Sequence, residues 1–181
     1  GITAVIDATH PFASAITERT ARICAERGLP YLRYERPMWR SRQGDAWHEA
    51  ADLADLARII PRGQRIFLAT GRQSVSKMTH LEHSAIWARV IDAPSDPFPL
   101  PRGEWIIGRP PFSHAAEQAL FADLKPDWLV VKNAGGAAGR AKLDAARACG
   151  MSVAMIARPI GPEGITRREQ LLDALEWALA L

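Results

Sequence analysis

The sequence predicts an α/β protein built on parallel sheets and divided into two domains, and three observations predict it. Short apolar runs alternate with stretches whose apolar residues recur at helical spacing, the order produced by parallel strands joined through crossover helices. Runs such as Ile2 to Ile6 and Trp128 to Val131 alternate too little for half-exposed strands and read as strands covered on both faces. The runs end in turns that pair Gly or Pro with a polar or basic side chain.

Taken in order, Ile2 to Ile6 is a strand, and the helix that follows runs from Pro11 to Arg27. Phe12, Ile16, Thr20, Ile23 and Cys24 keep helical spacing there, and Gly28 ends it as a C-cap. Pro11 suits the first helical position, and Thr9 or His10 can cap the orphan amides. Leu29 to Tyr34 is the next strand. From Glu35 through Asp45 the periodicity breaks on Pro, Gly, Ser and charge, which places a boundary between a domain over residues 1–44 and a second over 45–181. The second series is a helix from Ala50 to Ile60, a strand from Arg65 to Thr70, a turn at Gly71 to Ser74, a short helix from Val75 to Leu81 and a strand from Ala85 to Ile91. A proline-dense loop from Ala93 to Pro101 follows. Trp105 to Gly108 is a strand, Ser113 to Leu124 a helix and Trp128 to Val131 a strand. Lys142 to Cys149, whose start can lie earlier, is a helix. Ser152 to Ile156 is the last strand and Arg168 to Leu179 the closing helix, so the second domain is expected to hold a five-stranded parallel sheet.

Composition narrows the function classes. The 181 residues are 48% hydrophobic and 24% charged, as in an ordinary globular protein. The net charge of +3 is spread without a Lys/Arg run or interleaved aromatics, which favours an anionic small molecule over nucleic acid. Of 23 basic residues only Lys77, Lys125, Lys132 and Lys142 are lysines, and an arginine-rich surface suits bidentate recognition of carboxylate or phosphate. Cys24 and Cys149 read as small buried hydrophobes, which implies a reducing, cytoplasmic setting. No apolar run is long enough to cross a bilayer, so no membrane is expected. The chain opens inside a strand and without Met, from which an absent N-terminal portion is expected.

Four turns fall at the carboxyl ends of predicted strands: Thr9-His10-Pro11-Phe12, Thr70-Gly71-Arg72-Gln73, Gly108-Arg109-Pro110-Pro111-Phe112 and Lys132-Asn133-Ala134-Gly135-Gly136. Parallel strands would bring the last three to one edge of one sheet as a basic rim, at the edge where ligands of open α/β sheets sit. Capping explains Thr9 and Pro11 but leaves Asp7 and His10, two ionisable groups bracketing a turn of small residues. Gly135, Gly136 and Gly139 could form an anion-binding nest before a helix carrying Arg140 and Lys142, although neither a Walker A loop nor G-x-G-x-x-G is present. His80 and His83 have helical spacing without a third ligand, so no metal site is expected. The same glycine turns and basic rim would also suit a non-catalytic anion- or nucleotide-binding module.

Asp7-Ala8-Thr9-His10-Pro11-Phe12-Ala13, Tyr34-Glu35-Arg36-Pro37, Thr70-Gly71-Arg72, Lys132-Asn133-Ala134-Gly135-Gly136, Ala141-Lys142-Leu143-Asp144-Ala145-Ala146 and Arg158-Pro159 follow one another along essentially the whole chain. In that order they resemble the precorrin-6A reductase family of cobalamin biosynthesis. The resemblance implies two Rossmann-like domains, the first only partly present here, with the ligands held between them. It implies reduction of one double bond of a corrin-ring precursor by a reduced nicotinamide cofactor, NADPH with NADH possible. The expected partner is a tetrapyrrole polycarboxylate, whose carboxylates a rim of Arg72, Arg109, Lys132, Arg140 and Lys142 would take. Thr9, Pro11, Phe12, Thr70, Gly71, Asn133, Gly135 and Gly136 complete the expected binding set. His10 or Asp7 is the expected source of the proton added beside the hydride, with water as the alternative.

Overall fold

A computed structural model describes residues 1–181 as two compact units. The first comprises Gly1–Trp39, Ala134–Gly136 and Arg158–Leu181, and the second Arg40–Asn133 and Ala137–Ala157. The first unit gives way to the second between Trp39 and Arg40, and residues 158–181, expected in the second domain, belong to the first unit. The physical reason is a strand absent from the sequence reading: Thr166–Arg168 hydrogen-bonds in parallel to Tyr31–Tyr34.

In the first unit, β1 (Val5–Asp7), β2 (Tyr31–Tyr34) and β9 (Thr166–Arg168) form a three-stranded parallel sheet in the order β1-β2-β9. β1 is an edge strand with Ile6 39% exposed, not a strand covered on both faces. Helix α1 (Ser14–Glu26) turns Thr17, Ala21 and Cys24 inward. It begins three residues after Pro11, with Ala13 as an N-cap that receives no side-chain cap, so Thr9 and His10 do not cap it. Helix α6 (Leu171–Leu179) closes the unit and begins after β9 has used Arg168.

The second unit holds β3 (Ala46–Ala50), β4 (Arg65–Ala69), β5 (Ala85–Val90), β6 (Gly103–Ile107), β7 (Trp128–Lys132) and β8 (Ser152–Ile156). All are parallel, in the order β3-β8-β7-β4-β5-β6. The sheet therefore has six strands instead of the expected five. The extra one, β3, occupies the start of the expected helix at Ala50 and leaves only α2 (Leu56–Ile59) helical. Asp45-Ala46-Trp47-His48-Glu49 has no β-branched residue to announce a strand, and its backbone is fixed instead by the ladder to β8.

The core of this sheet is Ile66, Phe67 and Leu68 of β4 against Leu129 and Val130 of β7, all at most 1% exposed. Phe121 of α4 (His114–Leu124) meets Phe67 edge-on at 5.1 Å, and α5 (Arg140–Ala148) buries Leu143, Ala145 and Ala146. The short α3 (Arg72–Val75) and a 3-10 turn at Thr79–Leu81 replace the expected helix over Val75 to Leu81. From β4 the chain steps outward through β5 to β6, then returns to the other side of β4 and steps outward again through β7 and β8. The carboxyl ends of β4 and β7 thus flank the topological switch point, where the connections diverge and a crevice opens. No helix is long and apolar enough to cross a membrane.

Candidate functional site

In the first unit, β1 ends on Asp7, 6% exposed, and its carboxylate organises the turn that follows. Oδ1 accepts the Thr9 amide at 2.9 Å and lies 2.7 Å from Arg33 Nη1; Oδ2 accepts the hydroxyls of Thr17 and Tyr31, each at 2.8 Å. Burial works to raise its pKa, but the hydrogen bonds from Thr9, Tyr31 and Thr17 outweigh burial and bring it down to about 2. Tyr31 is correspondingly harder to ionise, through burial first, then its hydrogen bond to Asp7 and the Asp7 charge. The expectation that Asp7 supplies a proton is corrected here. A carboxylate held by four donors stays ionised near neutrality and braces the turn.

Arg33, 3% exposed, is the other half of that brace. Besides Asp7 it donates to Thr9 Oγ1 at 2.8 Å and to the His10 carbonyl at 3.3 Å, and it lies 3.7 Å from Glu35. One guanidinium, pre-organised as a planar fork, thereby fixes three successive points of the turn. His10 is exposed, and its Nδ1 accepts the Phe12 amide at 3.2 Å. With Nδ1 an acceptor, the neutral ring carries its proton on Nε2. His10 sits with Thr9, Pro11, Tyr34, Glu35 and Arg36 around a hollow of about 260 Å³ at the carboxyl edge of β1 and β2. Pro11 is buried, and Phe12 is half-buried with its ring 5.9 Å from that of His10.

Gly135 and Gly136 belong to this unit, with φ of +68° and +79°. A Cβ on Gly135 would lie 2.2 Å from the Pro37 carbonyl oxygen and 2.5 Å from the Arg158 guanidinium; one on Gly136 would lie 3.0 Å from Arg36. The Gly136 carbonyl accepts the Trp39 indole N–H at 2.7 Å, and Arg158 donates to the Ala134 carbonyl at 3.1 Å. Close approach by the chain's own Arg36-Pro37 segment and Arg158 therefore explains these glycines, in place of the expected anion nest.

In the second unit, parallel pairing does bring the turns after β4, β6 and β7 to one edge, but not as a five-membered rim. Thr70 and Gly71 follow β4, exposed Arg72 opens α3, and Lys132 and Asn133 close β7, all at the switch point. The pairing of Ala69 with Val131 carries Thr70 into register with Lys132. Lys132 is half-buried, and burial and then the Lys77 charge make its ammonium easier to deprotonate. Asn133 is buried, its amide donating to the Ile156 carbonyl at 2.9 Å.

The other three expected rim members are committed elsewhere. Arg109 follows β6, two strands from β4 and hence about 10 Å away along the sheet, and pairs at the surface with Asp92. Arg140 runs back along α5 to Asp144 at 3.0 Å and Asp45 at 3.6 Å, its guanidinium 5.5 Å from the Trp47 ring centre. Lys142 donates to the Gly139 carbonyl at 3.4 Å; burial lowers its pKa, and Glu117 and Arg89 are its charged neighbours. Those two form a buried bidentate pair at 2.7 and 2.8 Å.

A family profile described as precorrin-6x reductase CbiJ/CobK matches residues 1–178. The chain belongs to the precorrin-6x reductase family. A precorrin-6A reductase from Rhodococcus erythropolis is 44% identical over 179 residues, covering 97% of this chain and 71% of that one. One from Mycobacterium tuberculosis (strain ATCC 25618 / H37Rv) is 41% identical over 184 residues, 99% of this chain and 73% of that one. A cobalt-precorrin-6A reductase from Synechocystis is 30% identical over 174 residues, 87% of this chain and 64% of that one. The solved structure of a CobK precorrin-6A reductase superposes with a TM-score of 0.95 at 34% identity, covering 99% of this chain and 74% of that one. The two parallel sheets are Rossmann-like, as the sequence led us to expect, and this family member is a reductase of cobalamin biosynthesis.

Sequence reasoning passed over Arg33, Tyr31 and Thr17. Arg33 left a signal: a charged residue inside the apolar strand from Leu29 to Tyr34 needs a buried counter-charge, and Asp7 ends the neighbouring strand. Tyr31 and Thr17 left none, because their role depends on register and helix phase.

Proposed function

We propose that this chain reduces one ring double bond of precorrin-6A to give precorrin-6B, with NADPH as reductant, in the cytoplasm. The observation that carries the reading is the braced turn from Asp7 to His10 opening on a hollow at a strand carboxyl edge, in a chain matched by the reductase family over residues 1–178. When bound, the reduced nicotinamide supplies a hydride to one carbon of the double bond. The protein's part is to present a proton to the adjacent carbon and to hold the macrocycle still. His10 is the proposed donor, through Nε2 of its imidazolium form, which the neutral ring becomes by taking up a proton at Nδ1 in place of the Phe12 amide contact. Arg36, on the rim of the same hollow, is suited to a ring carboxylate, and Pro11 and Tyr34 to apolar contact.

Metal-free precorrin-6A is favoured over its cobalt form because relatives named for the former reach 44 and 41% identity, against 30% for the Synechocystis relative named for the latter. NADPH over NADH follows the family resemblance. Mixing the protein with precorrin-6A or its cobalt form and either nicotinamide tests all three points. The expected result is reduced-cofactor oxidation that depends on the macrocycle and is faster with NADPH. Cofactor binding without macrocycle-dependent oxidation would instead fit a binding module.

A further inference from the structure

The second unit has a feature that the proposed reaction leaves unused. Thr70 lies at the carboxyl end of β4, 5% exposed, and its hydroxyl has no hydrogen-bond partner within the chain. A buried hydroxyl is ordinarily paired. Its neighbours make the omission chemically specific. Ser74 uses its own hydroxyl on the Thr70 and Gly71 carbonyls, at 2.8 and 2.7 Å, which fixes the backbone of the turn and leaves the Thr70 side chain out of that arrangement. Gly71 holds φ at +87°, and apart from its chain neighbours nothing lies within 4 Å of where its Cβ would be. Gly135 is the opposite case, its missing Cβ being replaced by the chain itself. Across the switch point, in register with Thr70, stands Lys132, with the charge of Lys77 close enough to act on it.

We propose that the crevice between Thr70 and Lys132 is an oxyanion subsite, in which the Thr70 hydroxyl donates to, and the Lys132 ammonium pairs with, one carboxylate or phosphate group. An anion there meets the unpaired donor and offsets the repulsion between Lys132 and Lys77. The chemistry is shared by a ring carboxylate of the tetrapyrrole and a phosphate of the dinucleotide, both of which the proposed reaction brings to the protein. The assignment of those two sources rests on that reaction; the oxyanion chemistry does not.

The test is calorimetric titration of the full chain with inorganic phosphate, NADP+ and precorrin-6A separately, for the wild type and for Thr70→Val, Thr70→Ser and Lys132→Met. Thr70→Val and Lys132→Met are expected to weaken phosphate, and the same one of the other two ligands, by roughly tenfold or more. Thr70→Ser keeps the hydroxyl and is expected to stay near the wild type. Loss confined to NADP+ identifies the group as a phosphate, and loss confined to precorrin-6A as a carboxylate. Wild-type affinity for all three ligands in both Thr70→Val and Lys132→Met, or no phosphate binding by the wild type, overturns the subsite. If Thr70→Val fails to fold, Lys132→Met and Thr70→Ser decide alone. Phosphate binding that survives alongside an absence of macrocycle-dependent NADPH oxidation would sink the reductase reading and leave the subsite standing.

Discussion

The carboxyl ends of β1 and β4 are made from similar sequence, a strand running into a threonine-bearing turn, Asp7-Ala8-Thr9 in one and Ala69-Thr70-Gly71 in the other. Their hydrogen bonding differs completely. Thr9 accepts Arg33 at 2.8 Å and lies 3.3 Å from the Thr17 hydroxyl, within a network that also satisfies Asp7, whereas the Thr70 hydroxyl is buried without a partner. A polar turn whose groups satisfy one another is scaffold, and what it contributes is the position of a neighbour, here His10, the proposed proton donor. The unsatisfied turn is the one we propose takes its partner from outside the chain.

The largest test of this contrast is removal of the Asp7 carboxylate. Asp7→Ala leaves Arg33 buried without its main counter-charge, and denaturant unfolding is expected to register a loss of about 3–5 kcal/mol. A loss below about 1 kcal/mol would mean that water reaches the site and the network is not a brace.

Next in size is a pair of glycine substitutions. Gly135→Ala must displace the Pro37 carbonyl at a positive φ and is expected to cost on the order of 2–3 kcal/mol. Gly71→Ala meets open space, so its cost is backbone strain alone, but φ +87° with ψ +157° is a region essentially confined to glycine and that strain is about 1–3 kcal/mol. An unchanged thermal midpoint in Gly135→Ala would show that the Pro37 carbonyl does not require a glycine there.

Acid titration probes the same brace without mutation. The folded-state pKa of Asp7 lies below its unfolded value, so its contribution is fully present above the unfolded pKa and is lost as pH falls from about 4 to about 2. The loss is about 2 kcal/mol, and the corresponding slope should vanish in Asp7→Asn. The smallest contrast is between the threonines themselves. Thr9→Val strips a partner from buried Arg33 and should cost about 1 kcal/mol, while Thr70→Val removes an unpaired hydroxyl and should leave the unfolding midpoint unchanged or raised.

Much of this was legible beforehand, and the omissions have physical causes. The parallel strands β4, β5, β7 and β8 announce themselves through continuous apolar runs, and the switch-point residues Thr70 and Lys132 follow directly from where those runs end. β3 and β9 were hidden because Ala46–Ala50 and Thr166–Arg168 are held by the ladder to one neighbour rather than by their own composition. Arg140 and Lys142 read as ligand-binding because their charges were visible while Asp45 and Glu117, which answer them, come near only through tertiary packing; the i,i+4 partner of Arg140 on its own helix, Asp144, was legible and was passed over. Gly135 looked like an anion nest for the same reason: its positive φ could be read from the sequence, but the Pro37 carbonyl against it could not.

One turn divides the labour: Asp7 braces it, and His10 is the proposed proton donor. Precorrin-6A-dependent oxidation of NADPH, measured for Asp7→Asn and His10→Gln alongside their thermal midpoints, tests it most directly. His10→Gln is expected to keep its midpoint and lose kcat by roughly two to three orders of magnitude, whereas Asp7→Asn loses stability and keeps most of its kcat while folded. A stable, inactive Asp7→Asn together with a fully active His10→Gln would contradict the account.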